Sequence, residues 1–475
     1  MRLFEILILL GLTLALTAPL WPPRYRRRAA LGASLAAVIF TLTHLIVEHY
    51  RWQMVPAYVL TAILFLLALR NRSRPLADQP RRAWRLLGGM ILQLAVLLLC
   101  AAPPILFPVP RLPVPGGPYQ IGTVSYDLTD TSRIDIYASA PNTPRELMIQ
   151  IWYPATPASN AKTSPWMSRL DVAGPAIAKF LRLPPFILDH ANLIVTNSYP
   201  EAPLADAVTR YPIVIYSHGW NGFRTINTNQ MEALASHGFI AVAVDHTYGA
   251  MVTVFSDGRV ALNNPAALPE DAPADVYQRA SETLEGVYAA DLQFVMDTLA
   301  RLDVGEIDTR FAGRLDLERI GLFGHSTGGG AVVLACNADP RCKAGLGMDA
   351  WVVPVPDTVI TQGLTQPFLF MRSEVWASAK NQAKLETLYS AHLANASYRL
   401  TILGTKHYDF TMLPLLTPLA PALKLKGPLN GVRGMQIITD YLVAFFEHYL
   451  QGEAAPLLDG PSVAYPEVQF EKQIR

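Results

Sequence analysis

The stretch Arg319–Ile320–Gly321–Leu322–Phe323–Gly324–His325–Ser326–Thr327–Gly328–Gly329–Gly330 decides the fold. A short apolar run ends in Gly-His-Ser-Thr-Gly, and a small-residue stretch of helical character follows. That order predicts a strand, a tight turn and a helix, with a serine hydroxyl exposed above the helix N-terminus. Gly324 and Gly328 suit a turn too crowded for a side chain at either position. Ser326 is therefore the candidate nucleophile of a hydrolase or acyltransferase.

Outward from this turn, β-rich and helical runs alternate from about residue 119. Strands are expected at 122–128, 147–153, 212–217, 239–245, 319–323, 344–348, 367–372 and 398–403. Helices are expected at 227–237, 276–302, 327–336, 380–394 and 434–450. The pattern predicts an α/β domain with a mostly parallel sheet between helices. In the last helix Ile437, Tyr441, Phe445 and His448 recur at helical spacing, which predicts a core face. Two stretches rich in Pro, Ala and Asn, 155–210 and 248–275, break the alternation as lid-like insertions. The apolar run Pro184, Phe186, Ile187 and Leu188 in the first is a candidate entry for lipid.

A serine hydroxyl needs a base, and the resulting imidazolium needs a carboxylate. Downstream of Ser326 the histidines are His392, His407 and His448. His392 and His448 fall in helical patterns. His407 lies in the loop Gly404–Thr405–Lys406–His407–Tyr408–Asp409–Phe410 after a strand, where a base can reach the nucleophile. Asp349 ends the strand 344–348 on the same sheet edge and is the candidate acid. Asp357 is a weaker rival, and Asp409 fits a local turn cap. Two backbone N–H donors are needed for the oxyanion. Thr327, at the helix N-terminus, supplies one. Trp220 supplies the other, after the strand-and-turn Tyr211–Pro212–Ile213–Val214–Ile215–Tyr216–Ser217–His218–Gly219. The indoles of Trp220 and Trp351 either line an acyl pocket or pack in the core. His218 and His325 flank the site as turn braces.

The chain has 475 residues, 51% of them hydrophobic, with a net charge of +1. Residues 1–111 carry thirteen arginines, no lysine and only Glu5, Glu48 and Asp78 as acids, a surplus of ten positive charges. The rest is correspondingly acidic, which excludes nucleic acid as a partner. Apolar runs at 3–20, 29–47, 54–69 and 86–107 predict about four membrane helices, the third the weakest because it is short and contains Pro56. Arg24, Arg26, Arg27 and Arg28 follow the first run. Arg70, Arg72, Arg74, Arg81, Arg82 and Arg85 follow the third. Positive charge marks the cytoplasmic side, so both loops are expected inside and the chain after the fourth run outside. A cleaved first run would leave its arginines outside, so it is expected to be a retained anchor. His44 and His49 receive no functional role. The expected organisation is a membrane anchor at 1–110, a linker at 111–118 within the Pro-rich span 103–118, and a catalytic domain at 119–475. Cys336 and Cys342 fit no metal spacing and are a disulfide candidate on an extracytoplasmic face. No metal site is expected. The sequence carries no signal for oligomeric state.

Together these blocks resemble the plasma-type platelet-activating factor acetylhydrolase family of α/β-hydrolases over roughly residues 117–450. Tyr211–Pro212, Ser217–His218–Gly219 and Phe223–Arg224–Thr225 resemble its oxyanion-loop block. Gly-His-Ser-Thr-Gly-Gly resembles its nucleophile block, with Ser326 matching the serine. Met348–Asp349 resembles the acid block. Pro367–Phe370 with Ser373–Glu374 resembles the next strand, and His407 before Asp409–Phe410–Thr411 the histidine block. Asp245–His246 resembles a structural pair. Trp220 stands where the family has a smaller apolar residue, and the two insertions and the membrane part lie outside the match. The resemblance implies calcium-independent, cofactor-free hydrolysis of short-acyl or phospholipid esters. Phe223 and Trp351 are the candidate pocket residues. The substrate is then an ester or lipid, and the bilayer is the second partner. An acyltransferase with the same triad is the alternative, and a non-catalytic membrane scaffold a more distant one.

Overall fold

A computed structural model describes residues 1–72, 83–376, 378–391 and 396–474. The chain divides into two compact units. The first comprises Met1–Pro110 with Asp189–Leu193 and Leu416–Leu419, and the second comprises the remainder.

The first unit contains helices α1 (Leu3–Thr17), α2 (Pro23–Val47), α3 (Val55–Asn71) and α4 (Ala83–Leu106). Among the described residues, four segments, Leu3–Leu20, Arg24–Val47, Trp52–Asn71 and Leu87–Leu106, are long and apolar enough to cross a membrane. Part of the second arginine-rich loop, including Arg74, Arg81 and Arg82, lies outside the described residues. The Pro-rich span 103–118 begins inside α4, where Pro103 and Pro104 sit in its last turn. The buried Arg51 guanidinium satisfies the terminal carbonyls there, donating to Pro104 O at 3.4 Å and to Phe107 O. His44 is buried and bonded: Arg2 Nη2 lies 3.0 Å from its Nε2 and Tyr58 Oη 3.1 Å from its Nδ1. Arg2 and Arg51 both pair with Glu5 Oε1, at 2.8 and 3.0 Å. Through His44 and Arg51 the cluster joins the start of α1 to α2 and to the turn before α3.

The second unit is an α/β-hydrolase fold. Its strands are β1 (Gln120–Ile134), β2 (Pro144–Ala155), β3 (Ser198–Pro200), β4 (Tyr211–Ser217), β5 (Ile240–Asp245), β6 (Val252–Val254), β7 (Val260–Leu262), β8 (Leu315–His325), β9 (Cys342–Met348), β10 (Phe368–Val375), β11 (Ala396–Lys406) and β12 (Val468–Ile474). Among the described residues, ten form one sheet in the order β12-β11-β10-β9-β8-β4-β5-β2-β1-β3, and β6 and β7 form a separate hairpin. The centre, β5-β4-β8-β9-β10-β11, is parallel. The β1–β2, β2–β5 and β11–β12 pairs are antiparallel. Strands buried on both faces need continuous apolar runs, and β4 and β5 are buried along their whole length.

The helices are α5 (Leu170–Phe180), α6 (Thr228–Ser236), α7 (Ala274–Asp303), α8 (Thr327–Ala338), α9 (Asp357–Gln362), α10 (Ala379–Ala391), α11 (Leu413–Leu416) and α12 (Gly431–Phe446). In α7 the side chains of Leu284, Tyr288, Leu292, Val295, Leu299 and Leu302 recur every three or four residues and are buried. They pack with Ile213, Ile215, Leu322 and Val332 in one core. Each such side chain contributes about 1.5–3 kcal/mol by leaving water.

Three expectations need correction. The insertions are not irregular: the first holds α5 and a 3₁₀ stretch at Pro185–Leu193, and the second holds the β6–β7 hairpin. His448 is not on the core face. After Phe446 a π turn, Glu447–Gln451, widens the helix and rotates His448 outward, whereas Ile437, Tyr441 and Phe445 are buried. The strand β12 was not foreseen, although its alternating sequence pairs with β11 through Phe470 and Leu400. His392 lies outside the described residues.

Candidate active site

The sheet's carboxyl edge gathers the candidate residues, where α/β folds bind ligands. β8 runs into the turn at Ser326, and α8 starts at Thr327. Ser326 has φ 56° and ψ −122°, a strained conformation that lifts its side chain out of the chain path. The turn leaves no room around it. A methyl on Gly324 would meet Gly328 O at 2.2 Å, and one on Gly328 would meet Ser217 O at 2.2 Å. Hydrogen bonds pin it on both sides, from Ser326 N to Met348 O (3.0 Å) and from Trp351 N to Ser326 O (2.9 Å).

Asp349 directly follows β9, is 2% exposed and also has a positive φ of 44°. Its Oδ1 accepts the Ser373 N–H at 2.6 Å, and its Oδ2 accepts the Ser373 hydroxyl at 2.6 Å. His407 follows β11 and brings Nδ1 to 3.2 Å from Asp349 Oδ2. The structure thus joins two residues 58 positions apart. Trp376 stacks on the imidazole, with centroids 4.1 Å apart and planes 10° from parallel. His325 lies 4.4 Å away on the elbow itself, and its Nε2 is 3.0 Å from His407 O. A carbonyl only accepts, so Nε2–H of His325 is the donor. Burial, and then the neighbouring His407, push His325 well below the usual histidine range. It stays neutral and ties the histidine loop to the elbow. Among the described residues, Ser326 Oγ and His407 form no hydrogen bond. Such bonds tighten when substrate binds.

The β4 turn passes beside the serine. A methyl on Gly219 would lie 2.9 Å from Ser326 Cβ. Among the described residues, neither the Thr327 nor the Trp220 backbone N–H donates a hydrogen bond. An oxyanion hole is built from two such donors, and this pair is the candidate one.

The other candidates fall into place with different surroundings. Trp351 is half-buried near Tyr277. Phe223 is 8% exposed, packs edge-on to Trp166 and lines a small cleft with Met167, Ala173 and Val252. Asp357 is exposed and paired with Lys384 at 2.9 Å. Asp409 caps its loop by accepting from Lys406 N and Gly427 N. Cys336 and Cys342 are disulfide-bonded, with Cα atoms 5.1 Å apart, and fasten the end of α8 to the start of β9. Sequence reasoning gave no role to Ser373 or Trp376. Ser373 sits in a quoted motif block, but only the sheet order puts it over Asp349. No sequence signal marks Trp376.

The model of the family "Platelet-activating factor acetylhydrolase, isoform II" matches residues 106–455. Platelet-activating factor acetylhydrolase of Cavia porcellus is 28% identical over a 264-residue alignment that covers 51% of this chain and 58% of that protein. The chain therefore spans a little over half the length of the mammalian relatives it matches. A probable 1-alkyl-2-acetylglycerophosphocholine esterase of Arthroderma benhamiae is 24% identical over 414 residues, covering 80% of this chain and 100% of that protein. A ferulic acid esterase from Streptomyces cinnamoneus superposes with a TM-score of 0.63 at 28% identity, over 76% of this chain and 99% of that one.

Proposed function

The chain belongs to the platelet-activating factor acetylhydrolase isoform II family, and on that premise we propose that it is a membrane-anchored serine hydrolase of short-acyl or lipid carboxylic esters. The observation that carries the reading is the Asp349–His407 pair beside the strained Ser326 elbow. Ser326 Oγ attacks the ester carbonyl while His407 Nε2 takes its proton. Asp349 holds the Nδ1–H and stabilises the imidazolium. The N–H groups of Thr327 and Trp220 receive the oxyanion. The tetrahedral intermediate collapses, His407 gives its proton to the leaving alcohol, and an acyl-enzyme remains. Water, activated by the same histidine, releases the acid.

Hydrolysis is expected to persist in chelator without calcium, because peptide N–H groups supply the oxyanion stabilisation. The relatives' names favour glycerophosphocholine esters with a short acyl chain as substrates. The extracytoplasmic side is supported by the arginine bias of the helix loops and by the Cys336–Cys342 bridge, which needs an oxidising compartment. An ester panel graded by acyl length, run on wild type and Ser326→Ala, tests the reading. Turnover of acetyl esters that Ser326→Ala abolishes is expected, and full activity in Ser326→Ala would sink the proposal.

A further inference from the structure

His218 lies one residue before Gly219 and is fully buried. Its Nε2 is 3.1 Å from the His246 backbone N, which can only donate. Nε2 is therefore the acceptor, and the ring hydrogen sits on Nδ1. Nδ1 is 2.7 Å from Gly219 O, and the Gly222 N–H donates to the same oxygen at 2.8 Å.

That carbonyl belongs to the peptide that carries the Trp220 N–H. A trans peptide is planar, so its C=O and N–H point in opposite directions. Holding Gly219 O from two sides fixes where the Trp220 N–H points, and it points without a partner among the described residues. Gly219 itself is pressed against Ser326. Hydrogen bonds to a carbonyl also polarise the amide and strengthen its N–H as a donor.

The support behind His218 is equally specific. His246 Nδ1 is 3.0 Å from Asp291 Oδ2, and Ser217 Oγ is 2.8 Å from His246 Nε2. Arg145 Nη2 pairs with Asp291 Oδ2 at 2.7 Å, and Tyr288 stacks on His246 at 3.7 Å. All these groups are buried. Burial pushes Asp291 up, but Arg145 and His246 more than reverse this and hold it well below the usual carboxylate range. Ser217, His246 and Asp291 thus form a Ser–His–Asp chain out of reach of substrate, whose output is the position of the His246 N–H.

We propose that His218 is a positioning residue of the oxyanion hole: its Nδ1–H locks the Gly219–Trp220 peptide so that the Trp220 N–H meets the substrate oxyanion, and the buried His246–Asp291–Arg145 chain sets its tautomer. This rests on the hydrolase reading above. Preorganised donors of this kind are worth about 10²–10³ in kcat. His218 does not act as a base, since both ring nitrogens are engaged. Burial, followed by the neighbouring His246, pushes it down to about 3, so it stays neutral across the working range.

The test uses the purified full-length chain with an acetyl ester and its thionoester, in which sulfur replaces the carbonyl oxygen and fits an oxyanion hole poorly. His218→Phe keeps the ring and removes the donor. It is expected to lower kcat on the oxoester about 10²–10³-fold with little change in KM, and to collapse the oxoester-to-thionoester rate ratio. A merely structural defect would lower both rates together. His218→Asn places an amide N–H near the Nδ1 position and is expected to keep the wild-type ratio. A wild-type ratio in folded His218→Phe overturns the proposal. If His218→Phe does not fold, a collapsed ratio in His218→Asn overturns it. Ser326→Ala is run alongside: if that variant retains activity, the hydrolase reading has failed, and otherwise the result concerns His218 alone.

Discussion

Replacing Asp349 with asparagine isolates one proton. Ser373 N–H, which can only donate, faces Oδ1 at 2.6 Å, so the amide oxygen of Asn must take that position. The amide NH₂ then occupies the Oδ2 position, opposite His407 Nδ1 at 3.2 Å and Ser373 Oγ at 2.6 Å. The serine hydroxyl can rotate to accept. The imidazole must also accept, so its hydrogen moves to Nε2, which in the proposed mechanism takes the Ser326 proton and could then no longer do so. A loss of about 10⁴-fold in kcat is expected, which is about 5.5 kcal/mol of barrier at about 1.4 kcal/mol per tenfold. KM should hold, because no substrate contact changes. The assay is steady-state hydrolysis of a chromogenic acetyl ester by purified Asp349→Asn, with melting temperature as the fold control. Asp357→Asn, exposed and paired with Lys384, should match wild type. A folded Asp349→Asn protein within tenfold of wild type would refute the orientation argument.

Three further outcomes are expected. Cys336 and Cys342 are six positions apart, and closing so short a loop is worth about 2 kcal/mol; the double serine variant should melt several degrees lower, and an unchanged melting temperature would count against the bridge. Burial holds His218 at about 3, whereas an unfolded histidine titrates near 6.5, so unfolding takes up a proton between those values. That contribution is complete above pH 6.5 and is lost as pH falls towards 3, at about 1.4 kcal/mol per unit. His246 and His325, both lowered first by burial, act in the same sense, and the buried Glu285, raised by burial, opposes them. Melting temperature should therefore fall from pH 7 to pH 5, and a rise would contradict this sign. Finally, at and just before the candidate lipid entry of Pro184, Phe186, Ile187 and Leu188, the side chains of Phe180, Leu183 and Phe186 are 37%, 44% and 49% accessible. Acidic substitutions at those three should cut activity on phosphatidylcholine vesicles tenfold or more, since each apolar side chain contributes about 1.5–3 kcal/mol when taken up by lipid. A soluble ester should be cleaved as before, and equal loss on both would discard the lipid-entry role.

Local steric demands made the elbow legible. Gly324 and Gly328 are required wherever backbone approaches within 2.2 Å of an added methyl, and such demands are written in sequence. The parallel centre was legible because strands buried on both faces are continuous apolar runs. The edges were not: β12 is half solvated, and its Val-Gln-Phe-Glu-Lys-Gln-Ile alternation is weak evidence outside a sheet. The insertions defeated sequence reading because short helices and a three-residue hairpin draw their stability from tertiary packing more than from propensity. Around the site, residues bound to a motif were found. Those placed by sheet order alone, such as Ser373 above Asp349 and Trp376 on His407, had no local signature. His218 and His246 were legible as braces, but their hydrogen-bond order depends on strands brought together by the fold.

The central claim is that Ser326 is the nucleophile activated by His407. Labelling with a fluorophosphonate probe, followed by mass spectrometry of the digested chain, tests it most directly. One adduct per chain on the Ser326 peptide is expected, lost in Ser326→Ala and greatly slowed in His407→Ala. Labelling that survives Ser326→Ala, or an adduct on any other serine, would contradict the account.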